Sequence, residues 1–166
     1  MTKITTKRGD QGLTDLYGAL EVPKHHFLIQ IIGALDELQT VIGLLKVELK
    51  KGQLLAELEA VQKSLYNIMG FLANSNAKKS QEIALFLEQL ENQSQYWQTK
   101  TKIKNQFVIP GNNRAETQAH LCRVKVRSVE RLLSQFNYKS TKIKPLLPVI
   151  NRMSDYFFAV SQYLNK

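Results

Sequence analysis

The sequence predicts an all-α protein, an up-and-down bundle of about five helices that follows a short extended N-terminal segment. Apolar residues recur every third or fourth position from about residue 25 onward, the spacing of one face of a helix. Glycine and polar segments interrupt these runs. The stripes stay close to a heptad step, which suits helices that cross at shallow angles.

The first predicted helix starts at about residue 25, and Gly52 is expected to cap its C-terminus. The second helix follows and ends in the polar segment 74–80. A weaker third helix is predicted from about Ser80 to Thr99. The stripe of the first helix comprises Leu28, Ile31, Leu35, Leu38, Ile42, Leu45 and Leu49, and that of the second Leu54, Leu58, Val61, Leu65, Ile68 and Leu72.

Residues 107–111 are a short β-branched run that closes in a Pro-Gly turn, which predicts an extended connector. The fourth helix is expected to be capped by Asn113, which precedes Glu116 by three residues as in a capping box. A fifth helix covers about residues 146–164. The elements predict one domain over residues 1–166, of the ferritin-like or four-helix-bundle type. The stripe of the fourth helix comprises Ala115, Ala119, Cys122, Val126, Val129, Leu133 and Phe136.

The chain is basic, with 23 Lys and Arg against 14 Asp and Glu and a net charge of +9. This balance implies an anionic partner, which could be nucleic acid, an acidic membrane or a polyphosphate ligand. The lysines are scattered, however, which is more typical of a solvated surface than of a binding stripe. The apolar stretches are short and interrupted by charge, so no span of a bilayer is expected. With no signal-peptide pattern at the N-terminus, we expect a cytoplasmic protein.

Cysteine and histidine give no sign of a structural metal site. Cys122 is the single cysteine, which excludes an intramolecular disulfide, and its place on an apolar stripe predicts inert core packing. His25, His26 and His120 lack zinc-ligand spacing. No protein-bound metal ligand set is therefore predicted.

Three segments carry polar residues that a bundle does not need. In residues 5–14, two glycines bracket Asp10 and Gln11 beside Lys7 and Arg8, a pattern that could aim backbone N–H groups at an anion, although an ordinary Gly-Asp turn is the alternative. On the fourth helix, a polar row runs parallel to the apolar stripe and is either a solvated flank or the wall of an intersubunit site. Residues 151–158 are dense in polar groups near a helix start, where capping is the alternative. The row consists of His120, Arg123, Arg127 and Glu130.

In order along the chain, these segments resemble the PduO-type ATP:cob(I)alamin adenosyltransferases. The matching pieces are residues 6–12 (TKRGDQG), 33–38 (GALDEL), 107–111 (FVIPG), 120–131 (HLCRVKVRSVER) and 151–157 (NRMSDYF). Five short motifs in the family's order make a specific match. The chain departs from the family's usual residues at Arg8, His25, His26, Gln30, Asn112 and Ser128.

The resemblance implies a homotrimer with active sites at the subunit interfaces, and ATP, Mg²⁺ and a corrinoid as its ligands. The N-terminal segment 1–23 would bind ATP against the bundle of residues 24–166. Arg127, Glu130 and Asn151 would complete the ATP site and the Mg²⁺ environment. Lys24 would reach the phosphates. The residues that would cradle the nucleotide are Thr6, Lys7, Gly9, Asp10 and Gly12.

The resemblance also implies the reaction. Asp36 would pair with Arg123 across the interface, and Phe107 would cover the lower face of the corrin and keep an axial ligand off cobalt. An electron-donating reductase would supply Co(I), which attacks the 5′ carbon of ATP as triphosphate leaves, so the protein needs no general base. The alternative is a non-catalytic relative that binds ATP or corrinoid as a carrier or regulator. A nucleic-acid module is disfavoured, because no recognition helix or aromatic stacking surface is evident.

Overall fold

The computed structural model describes residues 5, 7, 9–16, 19–74, 77–101 and 107–165, without the side chains of residues 19, 20 and 77–80. Within these ranges the chain is a helical bundle preceded by a small hairpin, which confirms the predicted fold class. The hairpin pairs β1 (Leu13–Leu16) antiparallel with β2 (Ala19–Pro23), with Thr14 opposite Val22. The predicted extended N-terminal segment therefore pairs with itself.

Five α-helices make up the described bundle. A short 3₁₀ turn at Asn137–Lys139 follows the fourth helix. The helices are α1 (Phe27–Val47), α2 (Gln53–Ala73), α3 (Ala77–Thr99), α4 (Arg114–Phe136) and α5 (Leu146–Leu164).

The prediction that Gly52 caps the C-terminus of the first helix is wrong. Helix α1 ends at Val47, and the backbone N–H of its C-cap Glu48 donates to the carbonyls of Leu45 and Lys46. Gly52 instead is the N-cap of α2, with a φ of 148° that disfavours side chains other than hydrogen. The prediction at Asn113 is confirmed, since its side chain accepts the N–H of Glu116 at 2.9 Å.

The core lies where α5 packs against α3 and α4, while α1 packs against α2 and α4. Tyr156 and Phe157 on α5 are completely buried at its centre. A buried polar group ties three helices together, because Glu57 on α2 accepts the Trp97 indole N–H of α3 at 2.7 Å and the Tyr156 hydroxyl of α5 at 3.2 Å. Such fully bonded buried groups specify one register of packing.

Helix α1 corrects the expectation that no segment is long and apolar enough to cross a bilayer. Its 21 residues have a mean hydropathy of 1.5 over an 18-residue window, which meets the length and composition of a span. Core helices meet the same criterion. Seven of its residues, from Leu28 to Leu45, are buried in the bundle, and Asp36 and Glu37 interrupt its exposed face. The bundle buries 39% of this window.

Candidate active site

The glycine-bracketed loop forms a tight turn next to the hairpin. The N–H of Asp10 donates to the Lys7 carbonyl and that of Gly12 to the Gly9 carbonyl, both at 3.3 Å. Gly12 has a φ of 77° and Lys7 a φ of 59°, both in the left-handed region. The turn brings Lys7, Gly9, Asp10 and Gly12 together, and their predicted role in cradling a nucleotide stays a prediction. Thr6, the fifth predicted member, lies outside the described residues.

Lys24 closes this loop from the far end of the hairpin. Its ammonium Nζ donates to the Gly9 carbonyl at 2.7 Å, and its backbone N–H donates to the Gly12 carbonyl at 2.9 Å. A Cβ at position 9 would lie 3.0 Å from that Nζ, so glycine permits the close approach. The loop borders an open cavity of about 650 Å³, whose walls include Lys7, Asp10 and Thr14. An ammonium group and left-handed backbone turns at one cavity are suited to a phosphate group.

A second polar cluster joins α4 to α5. Glu130 accepts the side-chain N–H of Asn151 at 2.8 Å and lies 4.0 Å from the Arg127 guanidinium. The Arg127 side chain is 54% exposed and that of Glu130 23%, so the guanidinium keeps most of its donors for another partner. The three residues therefore form one cluster on the bundle surface, although Arg127 and Asn151 are 24 positions apart in the sequence.

The polar row on α4 changes its environment along the helix. Arg127 is exposed, Arg123 is half-buried and His120 is only 3% exposed. Burial, and secondarily the charge of Arg127, lowers the pKa of Arg123. The row is therefore a flank at one end and part of the interior at the other.

Asp36 and Arg123 do not meet within the chain. The Nε of Arg123 is buried and bonds to no described group. Asp36 is exposed and forms no ion pair with any described residue; its backbone carbonyl accepts the Thr40 hydroxyl at 3.2 Å. Both charges thus lack a partner among the residues whose placement is described, and their predicted pairing across an interface stays a prediction.

Phe107 begins the connector, which we define as residues 107–111. Its side chain is fully exposed, and Ile109 is 85% exposed. Gly111 closes the connector with a φ of 130°. The connector thus holds two large apolar side chains in solvent, an arrangement typical of a surface that another molecule covers.

The sequence interpretation missed the contact that holds this connector. Glu116, read as part of a helix cap, is completely buried, and its Oε2 accepts the Gly111 N–H at 3.0 Å. Its Oε1 lies 3.1 Å from Nε2 of the buried His120. Burial is the main cause that lowers the pKa of His120, against the opposing effect of Glu116. The spacing of Glu116 and His120, one helical turn apart, could have indicated this contact between them.

Two departures from the family pattern also have visible roles. The Asn112 side chain donates to the Asn165 side chain at 2.6 Å, and Gln30 donates to the His25 carbonyl at 2.7 Å. Each side chain fastens a local chain segment. Arg8 lies outside the described residues.

The described residues thus form two separate polar clusters, the glycine loop with Lys24 and the Arg127–Glu130–Asn151 cluster. No hydrogen bond or ion pair between described residues joins them. Cys122 is completely buried and burial raises its pKa to about 12, in agreement with the predicted inert role. The described part of the chain is therefore a helical bundle with two clusters of charged and polar groups on its surface.

Comparison with known proteins identifies the family to which this helical bundle belongs. The chain belongs to the cobalamin adenosyltransferase family, whose family model matches residues 4–164. It is 30% identical over 169 residues to a corrinoid adenosyltransferase of Citrobacter freundii, covering 98% of this chain and 94% of that protein. The family resemblance stated from the motifs is thereby confirmed.

Two solved structures share the fold over nearly the whole chain. Both are variants of a PduO-type ATP:corrinoid adenosyltransferase from Lactobacillus reuteri. A phenylalanine-to-alanine variant complexed with cobalamin and ATP has a TM-score of 0.86, with 27% identity and coverage of 98% of this chain and 93% of that one. An arginine-to-lysine variant complexed with ATP has a TM-score of 0.85, with 28% identity and coverage of 98% and 94%.

Proposed function

We propose that this chain transfers the 5′-adenosyl group of ATP to the cobalt of a reduced corrinoid, using the two polar clusters to bind one triphosphate. Cob(I)alamin supplies an electron pair to the 5′ carbon, the carbon–oxygen bond breaks, and triphosphate leaves with its electrons. The observation that carries the proposal is the Arg127–Glu130–Asn151 cluster, in a chain matched by the cobalamin adenosyltransferase family along residues 4–164.

The ATP side of the site consists of groups that stabilise negative charge. Lys7, Lys24 and the glycine-loop N–H groups would contact the phosphates, and Arg127 would bind the triphosphate from α4. Glu130 lies 4.0 Å from the Arg127 guanidinium and itself accepts the Asn151 side-chain N–H at 2.8 Å. Because the leaving group gains charge in the transition state, cationic donors placed in advance accelerate this reaction without a general base. Thr6 and Asp10 are assigned to the nucleotide from the family resemblance.

The neighbouring structures support the assignment of two of these residues. The phenylalanine and the arginine varied in the Lactobacillus reuteri enzyme are separated by the same number of residues as Phe107 and Arg127. Both variants were crystallised with ATP, and the phenylalanine variant also with cobalamin. We therefore place Phe107 at the corrinoid and Arg127 at ATP.

On the corrinoid side, Phe107 offers a fully exposed ring. A corrin macrocycle would cover this ring, and burial of its apolar surface would favour binding. Held below cobalt, the ring would exclude an axial ligand, which makes Co(II) easier to reduce to the nucleophilic Co(I).

The proposed assembly is a homotrimer with its sites between subunits. Helices α1 and α4 expose Leu44, Val47, Leu121 and Val124, with exposed fractions of 38% to 79%. Asp36 lies on the same side of α1 as Leu44, two helical turns away. An interface here would pair Asp36 with Arg123 and relieve a partly buried charge that has no partner in the described chain.

Mg²⁺ is proposed as part of the substrate, bound to the phosphates of ATP. No group of three His, Cys, Asp or Glu side chains lies together in the described part of the chain. The triphosphate oxygens would therefore supply most ligands, since Mg²⁺ favours oxygen donors and keeps several waters. Glu130 offers a carboxylate oxygen near Arg127.

The remaining expectations concern the cellular setting. We propose a cytoplasmic enzyme that receives electrons from a reductase and acts without nucleic acid or a membrane. The burial of seven α1 residues in the bundle supports the last of these points. The scattered basic surface is consistent with anionic substrates.

The direct test is product formation. The chain is incubated anaerobically with chemically reduced cobalamin and MgATP, and adenosylcobalamin is followed by its absorbance while triphosphate is quantified. Equal amounts of both products support the proposal. A protein that binds ATP and cobalamin at equilibrium but forms neither product would refute catalysis and support the carrier or regulator alternative.

A further inference from the structure

Glu116 bonds to the connector instead of completing its own helix cap. In a capping box, the glutamate at this position accepts the N–H of the cap residue. Here Oε2 accepts the N–H of Gly111, two residues before the cap Asn113, at 3.0 Å. The Thr117 hydroxyl lies 3.2 Å from the same oxygen, but its one proton has a closer acceptor in the Asn113 carbonyl at 2.8 Å. The carboxylate therefore joins the last residue of the connector to α4.

The carboxylate of Glu116 is also deeply buried. Its side chain is completely inaccessible, and His120, one turn further along α4, leaves only 4% of its side chain exposed. Burying a carboxylate is unfavourable unless donors surround it. Oε2 accepts the Gly111 N–H at the positive end of the helix dipole, while Oε1 lies 3.1 Å from the His120 ring without a hydrogen bond to any described group. Such a constrained group holds its partners in one geometry.

Little else holds the connector near Phe107. Phe107 and Ile109 make no buried packing, since they are 103% and 85% exposed. The other ties lie further along the chain, where Asn112 bonds to Asn165 and Asn113 donates to the Leu164 carbonyl at 2.8 Å. Val108 is half-buried, and among the described residues the Glu116–Gly111 bond is the hydrogen bond nearest to Phe107.

We infer that Glu116 is a positioning residue for the corrinoid reaction, fixing through Gly111 where the connector holds Phe107. The inference rests on the proposed role of Phe107 and adds a residue that acts through it. When the bond is lost, Phe107 samples more positions and excludes the axial ligand less often. ATP binding depends on other residues and is unaffected.

Two substitutions separate the hydrogen-bond acceptor of Glu116 from its negative charge. Glu116→Gln keeps an oxygen that can accept the Gly111 N–H and a side-chain amide that can donate to His120. Glu116→Ala removes the acceptor altogether. Glu57→Gln is the matched control, because Glu57 is another buried carboxylate, 8% exposed, that bonds to Trp97 and Tyr156 and has no contact with the connector.

Three readouts follow each variant. Hydrogen exchange reports protection of the Gly111 amide in the free protein. The electron spin resonance spectrum of bound cob(II)alamin with MgATP reports the fraction without an axial ligand. Titration with MgATP reports nucleotide affinity. A purely structural role of Glu116 would lower stability and ATP affinity together, whereas a positioning role changes the cobalt spectrum and leaves ATP affinity unchanged.

We expect Glu116→Ala to lose protection of the Gly111 amide, to lower the ligand-free Co(II) fraction several-fold and to reduce turnover by roughly 10-fold to 10²-fold, the range for a misplaced reacting group. Its ATP affinity stays within about twofold of the parent protein. Glu116→Gln restores most of the spectrum, and Glu57→Gln leaves it unchanged. If the alanine variant fails to fold, a Glu116→Asp variant, whose shorter side chain cannot reach Gly111, replaces it.

A Phe107→Ala variant separates the two ways in which the inference can fail. If Phe107→Ala loses the ligand-free Co(II) signal and Glu116→Ala retains it, the positioning role is overturned and the role of Phe107 stands. If Phe107→Ala retains the signal, the role of Phe107 is overturned, and the positioning role with it. Equal loss of the signal in Glu57→Gln also overturns it, because the effect is then a general one of core packing.

Discussion

Replacing Arg127 by alanine distinguishes a catalytic role from a contribution to the fold. The side chain is 54% exposed and lies 4.0 Å from Glu130, an ion pair of the kind that contributes about 0.2–1 kcal/mol. Its removal should lower the melting temperature by no more than about 2–4 °C for a chain of this size. Removing a donor to a developing negative charge typically costs about 3 kcal/mol of transition-state stabilisation, or on the order of 10²-fold in kcat.

The assay measures kcat and KM for ATP and for cobalamin beside thermal unfolding. Arg114→Ala is the matched control, since Arg114 lies on the same helix, is 88% exposed and is 3.9 Å from Glu48. We expect the Arg127 variant to lose turnover and the Arg114 variant to keep it, with similar melting temperatures. Arg127→Lys should fall between them, because lysine keeps the charge and loses the two-pronged geometry. Near-normal turnover of Arg127→Ala would refute the reasoning.

Three further predictions follow from buried or unpaired groups. Asp36→Asn should shift the chain towards smaller species in sedimentation if the carboxylate pairs with Arg123 between subunits, and an unchanged sedimentation profile would contradict that pairing. Since burial raises the pKa of Cys122 to about 12, a thiol reagent at neutral pH should modify it only after unfolding; rapid modification of the native protein would contradict its burial. Burial lowers the pKa of His120 below its ordinary 6.5, so the unfolded chain binds the proton first, and the stability that neutral His120 contributes is complete above pH 6.5 and declines below it. Urea unfolding on both sides of that pH should show a larger loss for the parent chain than for His120→Gln, and equal losses would contradict this account.

The helices could be predicted from the sequence because burial follows helical periodicity. Leu28, Ile31, Leu35 and Leu38 are all buried, as the spacing requires. The end of α1 was predicted less well, since a glycine at Gly52 suits either a helix C-terminus or the start of the next helix. Only the observed φ of 148° and the bond of Glu48 to Leu45 decide between them.

The sequence names candidate site residues but not the geometry in which the fold holds them. Periodicity places Arg127 and Glu130 on one face of α4, yet their contact with Asn151 depends on how α4 and α5 approach each other. The burial of Glu116 was not predictable from the local sequence, because its partner Gly111 lies outside the helix and a glutamate at this position usually serves as a cap. The predicted pairing of Asp36 with Arg123 would need a second chain, which one sequence cannot place.

The central claim is that the glycine loop and the Arg127 cluster bind the same triphosphate. The most direct measurement is a crystal structure of the chain with MgATP and cobalamin. The account predicts one triphosphate in contact with the Gly9–Gly12 backbone and with the Arg127 guanidinium, from the same or a neighbouring subunit, with the ATP 5′ carbon facing cobalt. A structure in which ATP contacts only one of the two clusters, with the other distant in every subunit, would contradict it.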